Sequence, residues 1–519
     1  MKRFLLLLLG ALCSLPVQAA RPRLIVQIVV GSMRAEDLDR YAGHFGEGGF
    51  RRLAQGGTRY TGARYDFQQT STPVALATLT TGAMPSTHGV IGSRWQDYTD
   101  NKTVWLTDGR LGAGPYHLIA PTLGEALLRY LPGSRCVTVA AESESAVVMG
   151  GRTEQVYWLD PQHGGWTTSG YYTADLPEWI VRNNRERYNQ ALLAPEWRML
   201  YDRNSYRNTR HWDIVPSGRN RKAAVPTGAG RLRPDNDYER LLYTPAGNTA
   251  VLAFAKQAIA QCKLGRDATP DLLNICLDAS RRIMEVYGPE SVEAEDMYCR
   301  LDRDLADFLT YLFAQTDERE VLVILTSDHG TSPSCDLAAP AADRFNARQF
   351  EVIVNGFLNV RYGMGEWVRD YNENSIWLNH NLIYERGLNL AEVQNEVAIF
   401  AMQFGGVSHA LAATAMRTSY FGSGYARRLQ NSFYPRRSGD VAVNLMPGWI
   451  EERDRCYSSS GSMYGYDTDV PLIFYGAGTP AQRIRRQVDM TCVAPTVARL
   501  LEISEPAASE GEVLEEMAE

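Results

Sequence analysis

Short apolar runs separated by mixed, amphipathic stretches set the rhythm of this chain. Runs rich in Val, Ile and Leu occupy residues 23–30, 137–141, 272–277, 321–326 and 471–475, the pattern of strands buried on both faces. Between them, segments 34–41, 48–54, 122–130, 293–313 and 493–501 read as helices. The alternation predicts an α/β domain with a mainly parallel central sheet flanked by helices, and it places chemistry at the carboxyl ends of the strands. Two stretches break the rhythm. The first, about 156–271, is rich in Tyr, Trp, Arg and Asn and includes Tyr171, Tyr172, Trp179 and Trp197. The second, about 340–449, has strand-like runs at 351–360 and 375–379 and a helical run at 390–404. Both are expected as cap insertions over the core, with most of their aromatics packing the cap.

The first twenty residues stand apart from this pattern. Lys2 and Arg3 precede an apolar run from Phe4 to Leu15 that ends in Val17-Gln18-Ala19-Ala20, which reads as a cleaved secretory signal at 1–20. The remaining 21–519 is then one exported domain, in the periplasm or outside the cell. It has no later run of about 18 apolar residues, so no transmembrane segment is expected in the mature chain.

Composition excludes some classes. With 519 residues, 45% hydrophobic and 22% charged, the chain is neither disordered nor collagen-like. Its 53 Lys and Arg are outnumbered by 60 Asp and Glu, so no electrostatic footprint for nucleic acid exists. Seven cysteines follow the signal. Cys136 and Cys276 lie in apolar runs and read as buried small hydrophobes, while Cys262, Cys335 and Cys456 have polar surroundings compatible with a disulfide. The spacing holds no Cys-x-x-Cys zinc motif.

Two local motifs carry candidate chemistry. Thr326-Ser327-Asp328-His329-Gly330 follows an apolar strand directly, so Asp328 and His329 can converge on one metal ion at the strand's carboxyl end. For an isolated Asp-His pair, capping a turn is the default role. Gln69-Thr70-Ser71-Thr72-Pro73 opens a helical stretch, where a hydroxyl could attack phosphorus in the helix N-terminal field. Helix capping accounts for those hydroxyls equally well.

Taken together, dispersed motifs resemble the alkaline phosphatase superfamily, and most closely the secreted phosphate-irrepressible alkaline phosphatases. They include Arg23 to Val26, Met33-Arg34, Thr81-Gly82, Pro85, His88-Gly89, Tyr287-Gly288-Pro289, Thr326 to Gly330, Arg437 to Asp440 and Tyr466-Asp467-Thr468. The resemblance implies an alkaline-phosphatase-like core with cap insertions. It also implies two zinc ions, a Thr or Ser nucleophile and a clamp for the phosphate oxygens. Thr72 matches the nucleophile, and Asp328 and His329 match two ligands of one zinc. Gly31 stands where the family has a zinc-binding Asp. Arg281, Glu285 and Ser460 stand where it has the Asp, His and His of the other zinc. The clamp's Lys, Arg and Asn positions are Glu142, Glu144 and Ser93.

These departures turn a pocket the family makes cationic into one dominated by Asp328, Glu285, Glu142 and Glu144, with Arg281 among them. The resemblance read this way predicts a pseudophosphatase, with Thr72 vestigial and no cofactor. Its role is then binding or assembly in the cell envelope, with an envelope protein or ligand as partner. Arg281 is expected within salt-bridge reach of Asp328, Glu142 or Glu144 as a substitute for the lost metal. Two alternatives stand beside this. One is an active phosphate- or sulfate-ester hydrolase with Thr72 as nucleophile and zinc as cofactor. The other is a binder of a cation, calcium or magnesium among them, in the acidic pocket.

Overall fold

The computed structural model describes residues 21–193, 197–210, 238–335, 343–452 and 456–518. The signal expected at 1–20 lies outside the described residues, as do parts of both expected insertions.

Among the described residues, nine strands form the central sheet: β1 (Leu24–Val30), β2 (Thr58–Arg64), β3 (Cys136–Ala140), β4 (Gln155–Leu159), β5 (Trp166–Thr167), β6 (Asp271–Leu277), β7 (Val321–Thr326), β8 (Leu472–Gly476) and β9 (Gln482–Asp489). Their order is β9-β2-β8-β7-β1-β6-β3-β4-β5, and all run in one direction except β8 and the short edge strand β5. Every residue of β1, β3, β6 and β7 is buried, which is why these strands read as unbroken apolar runs. Cys136, Cys276, Cys299 and Cys492 are buried as well, and Cys262, Cys335 and Cys456 have intermediate exposure.

Helices cover both faces of the sheet. The first to matter is α1 (Thr72–Thr81), which is buried along its whole length and stops at Gly82, a left-handed cap with φ +70°. After it come α2 (Ser143–Gly150), α3 (Asp278–Tyr287) and α4 (Val292–Gln315). The helix expected at 34–41 shrinks to Asp37–Arg40, because the Asp37 carboxylate takes the Arg34 amide and the Tyr298 hydroxyl in a tight turn.

The stretch expected as an insertion from about 156 begins inside the sheet, since β4 and β5 extend its edge. Its aromatics do pack: Trp166 and Trp179 both stack on Phe254. The second stretch forms a four-stranded antiparallel sheet of Val368–Asn372, Ser375–Leu378, Val441–Leu445 and Val407–Ala412 with its own apolar core. The longest helices beside it are α5 (Ala347–Tyr362) and α6 (Leu390–Ala401). The strand expected at 351–360 is therefore wrong: this run is the middle of α5. Phe350, Val354 and Leu358 fall four residues apart and enter the apolar core of this stretch as one helical stripe.

Candidate functional site

The four central strands β7, β1, β6 and β3 end side by side, and the candidate residues follow from those ends. Asp328 and His329 leave β7, and Gly31 leaves β1. Arg281 and Glu285 lie on α3 after β6, and Glu142 and Glu144 lie at the start of α2 after β3. Asp278 locks the β6–β3 corner by accepting from the Ala141 and Glu142 amides and from the Ser145 hydroxyl.

Asp328, His329 and Thr72 meet as expected. Asp328 Oδ1 accepts from the amides of Ser32 at 2.9 Å and His329 at 2.8 Å, and its Oδ2 accepts from Thr72 Oγ1 at 2.7 Å. His329 Nδ1 lies 2.6 Å from the Gly330 carbonyl. Its Nε2 lies 3.2 Å from Thr72 Oγ1, 3.3 Å from Asp328 Oδ2 and 3.5 Å from Ser460 Oγ. All three side chains are buried. Thr72 gains its position as the first residue of α1, with Pro73 starting the helix behind it.

The family resemblance implies a two-zinc centre around this trio. Catalytic zinc takes three protein ligands and an open position. Among the described residues no group of three or more His, Cys, Asp or Glu side chains is placed to hold a metal. The other half of the constellation is an ion-pair network. Arg281 meets Glu142 at 2.6 Å and Glu285 at 3.0 Å, and Arg282 meets Glu142 at 2.7 Å and Glu285 at 3.4 Å. Burial alone would raise the Glu142 carboxyl, yet the two guanidinium groups hold it below the ordinary glutamate range. Burial would lower Arg281, and the surrounding carboxylates drive it well above its usual value instead. Glu142 and Glu285, read from sequence as hard oxygen ligands, are thus committed to arginine.

Two members of this region escaped the sequence reading. Arg282 is one, although its spacing of three from Glu285 on a helix was visible. Glu373 is the other. It sits at the tip of the hairpin between Asn372 and Ser375, where Glu373 and Asn374 both take left-handed backbone angles, φ +47° and +54°. Its carboxylate accepts from Gln69 Nε2 at 2.5 Å and from the Ser93 amide at 3.2 Å. Ser93 in turn donates its hydroxyl to Glu144 at 2.9 Å. Burial, with Glu373 and Glu142 nearby, pushes the Glu144 carboxyl up to about 7 against the opposing Ser93 hydrogen bond. These groups line one cavity of about 220 Å³, with Trp449 and Tyr466 on its wall.

A mostly parallel sheet with a helix-leading threonine set against an Asp-His pair at the sheet's carboxyl edge defines the alkaline phosphatase class of protein. The family model of type I phosphodiesterases and nucleotide pyrophosphatases matches residues 25–467, and the chain belongs to that family. It is 28% identical to a calcium-transporting ATPase of Myroides odoratus, over 96% of this chain and 95% of that protein. It is likewise 28% identical to alkaline phosphatase PafA of Elizabethkingia meningoseptica, over 96% of this chain and 94% of the enzyme. The crystal structure of wild-type PafA superposes with a TM-score of 0.88 at 27% identity, covering 97% of this chain and 99% of PafA.

Proposed function

We propose that this protein is a pseudophosphatase. The phosphatase fold is kept, two-zinc phosphoryl transfer is lost, and the molecule serves binding or assembly in the cell envelope after export by residues 1–20. The observation that carries this reading is Arg281, whose guanidinium bridges Glu142 and Glu285 where the family resemblance puts a zinc ligand. A fixed cation with two carboxylate partners supplies the charge balance a metal would supply, without an exchangeable coordination position. Thr72 is then a retained structural hydroxyl, and Asp328 and His329 are residual ligands held by hydrogen bonds. The second stretch, about 340–449, acts as a cap over the cavity.

A second reading has its own support. Thr72 Oγ1 contacts both Asp328 and His329, the geometry expected of an activated nucleophile, and relatives bear the name alkaline phosphatase. On that reading the protein hydrolyses phosphate or sulfate esters, with zinc as cofactor. The acidic cavity supports a third, a bound cation near Glu144 and Glu373.

Metal analysis of the purified protein, combined with assays on aryl phosphate mono- and diesters, separates the three. The pseudophosphatase gives no turnover above background, and Thr72→Ala changes nothing. Stoichiometric zinc with turnover abolished by Thr72→Ala would overturn it in favour of the hydrolase. A bound metal without turnover would overturn it in favour of the cation binder.

A further inference from the structure

Helix α5 is apolar on two opposite sides. Phe350, Val354 and Leu358 enter the cap core, while Val352 and Val360 on the other side are 65% and 91% exposed. A surface helix ordinarily turns polar residues outward. The exposed apolar face continues along the chain to Met364, 79% exposed. Sideways it crosses Phe357, which stacks on Phe400 with ring centroids 4.2 Å apart, to Ile399 and Met402 of the α6 end. Gly356 lies at the middle of the exposed row, and a Cβ there would meet nothing within 4 Å. None of these residues lines the cavity.

We propose that this face joins two copies of the chain about a two-fold axis passing near Gly356. The exposed row Val352, Gly356, Val360 has even spacing, so an antiparallel copy sets Val352 against Val360 of the partner subunit at both ends. The glycine lets the two helices approach closely at the centre. Area agrees: the exposed apolar side chains total on the order of 600 Å², close to the ~800 Å² that each partner contributes to a standard interface. Charge agrees as well. Arg348 precedes the apolar row and Glu366 follows it, both exposed, so the antiparallel arrangement brings the basic end of each row towards the acidic end of the partner's. A lipid surface would call for a basic rim. The rim here carries both signs, and Arg361 is already paired with Glu396 at 3.1 Å.

Sedimentation velocity on the purified full chain tests this. Wild type should dimerise with a dissociation constant of about 10 μM or tighter. Val360→Asp should weaken it by at least about a hundredfold, because the dimer would bury an unpaired carboxylate. Arg348→Glu and Glu366→Arg should each weaken it about three- to fivefold, and the two together should restore it. Thermal melting of each variant confirms that these exposed substitutions leave the fold intact. A wild-type monomer at about 100 μM overturns the proposal, and so does a dimer indifferent to Val360→Asp. Vesicle binding by a monomer, lost in Val360→Asp, overturns it in favour of a lipid surface.

Discussion

A Cβ added to Gly31 would stand 2.9 Å from the Cβ of Arg281 and 3.1 Å from its backbone nitrogen. The absent side chain and the arginine therefore belong together: the space an aspartate would need after β1 is taken by α3 and by the residue that organises the ion-pair network. Gly31→Asp should cost about 1–3 kcal/mol from overpacking, more with a new carboxylate beside Asp328, and should not produce phosphatase activity. Urea denaturation checks the stability. In a double-mutant cycle with Arg281→Gly, which removes the Cβ that is the nearest contact, a coupling of at least about 1 kcal/mol is expected.

Arg281→Ala alone should destabilise by about 2–4 kcal/mol at neutral pH, because two largely buried carboxylates lose their main partner. Arg282 keeps its contacts to both and softens the effect. The sign with pH follows from Glu142, which is held below the ordinary glutamate range. Stability from such a group is present above its unfolded pKa, about 4.3, and is lost as pH falls through the lower folded value. The gap between variant and wild type should narrow as pH drops below that range, as denaturation curves at several pH values would record.

Glu144 runs the other way. Its folded pKa is raised to about 7, so the contribution is intact at acid pH and is lost as pH climbs from the usual glutamate range through about 7. Glu144→Gln should match wild type in stability near pH 4.5 and exceed it by about 1–2 kcal/mol at pH 8. Melting temperatures across that window decide it; equal gaps at both ends would contradict the raised value.

Removing the hairpin-tip carboxylate with Glu373→Ala deprives the Ser93 amide and Gln69 of their acceptor. Hydrogen exchange at the Ser93 amide should accelerate by at least about tenfold, with the cap's own core unaffected.

Much of the architecture was legible because it rests on local pattern. The central strands are buried on both faces and announce themselves as apolar runs, and Asp328-His329 was found because it sits directly at the end of one. Arg281's contact with Glu142, one of three carboxylates expected, followed from the family resemblance, which set these opposite charges in one pocket; its second partner, Glu285, was not among the three. Helix α5 was misread for a physical reason: with apolar residues on both its core face and its exposed face, Val352-Ile353-Val354 mimics a strand. Glu373 could not be read at all. Nothing near it in sequence hints that a cap turn delivers it beside Ser93 and Gln69, residues on the far side of the chain order.

The hairpin tip gives the cavity a competitor that never diffuses away. The Ser93 amide and the Gln69 side chain present hydrogen-bond donors of the kind an incoming anion would seek, and Glu373 already answers them. Because that carboxylate is tethered through a short turn, its effective concentration is roughly millimolar or higher. A soluble phosphate or carboxylate would have to displace that tethered carboxylate to reach either donor.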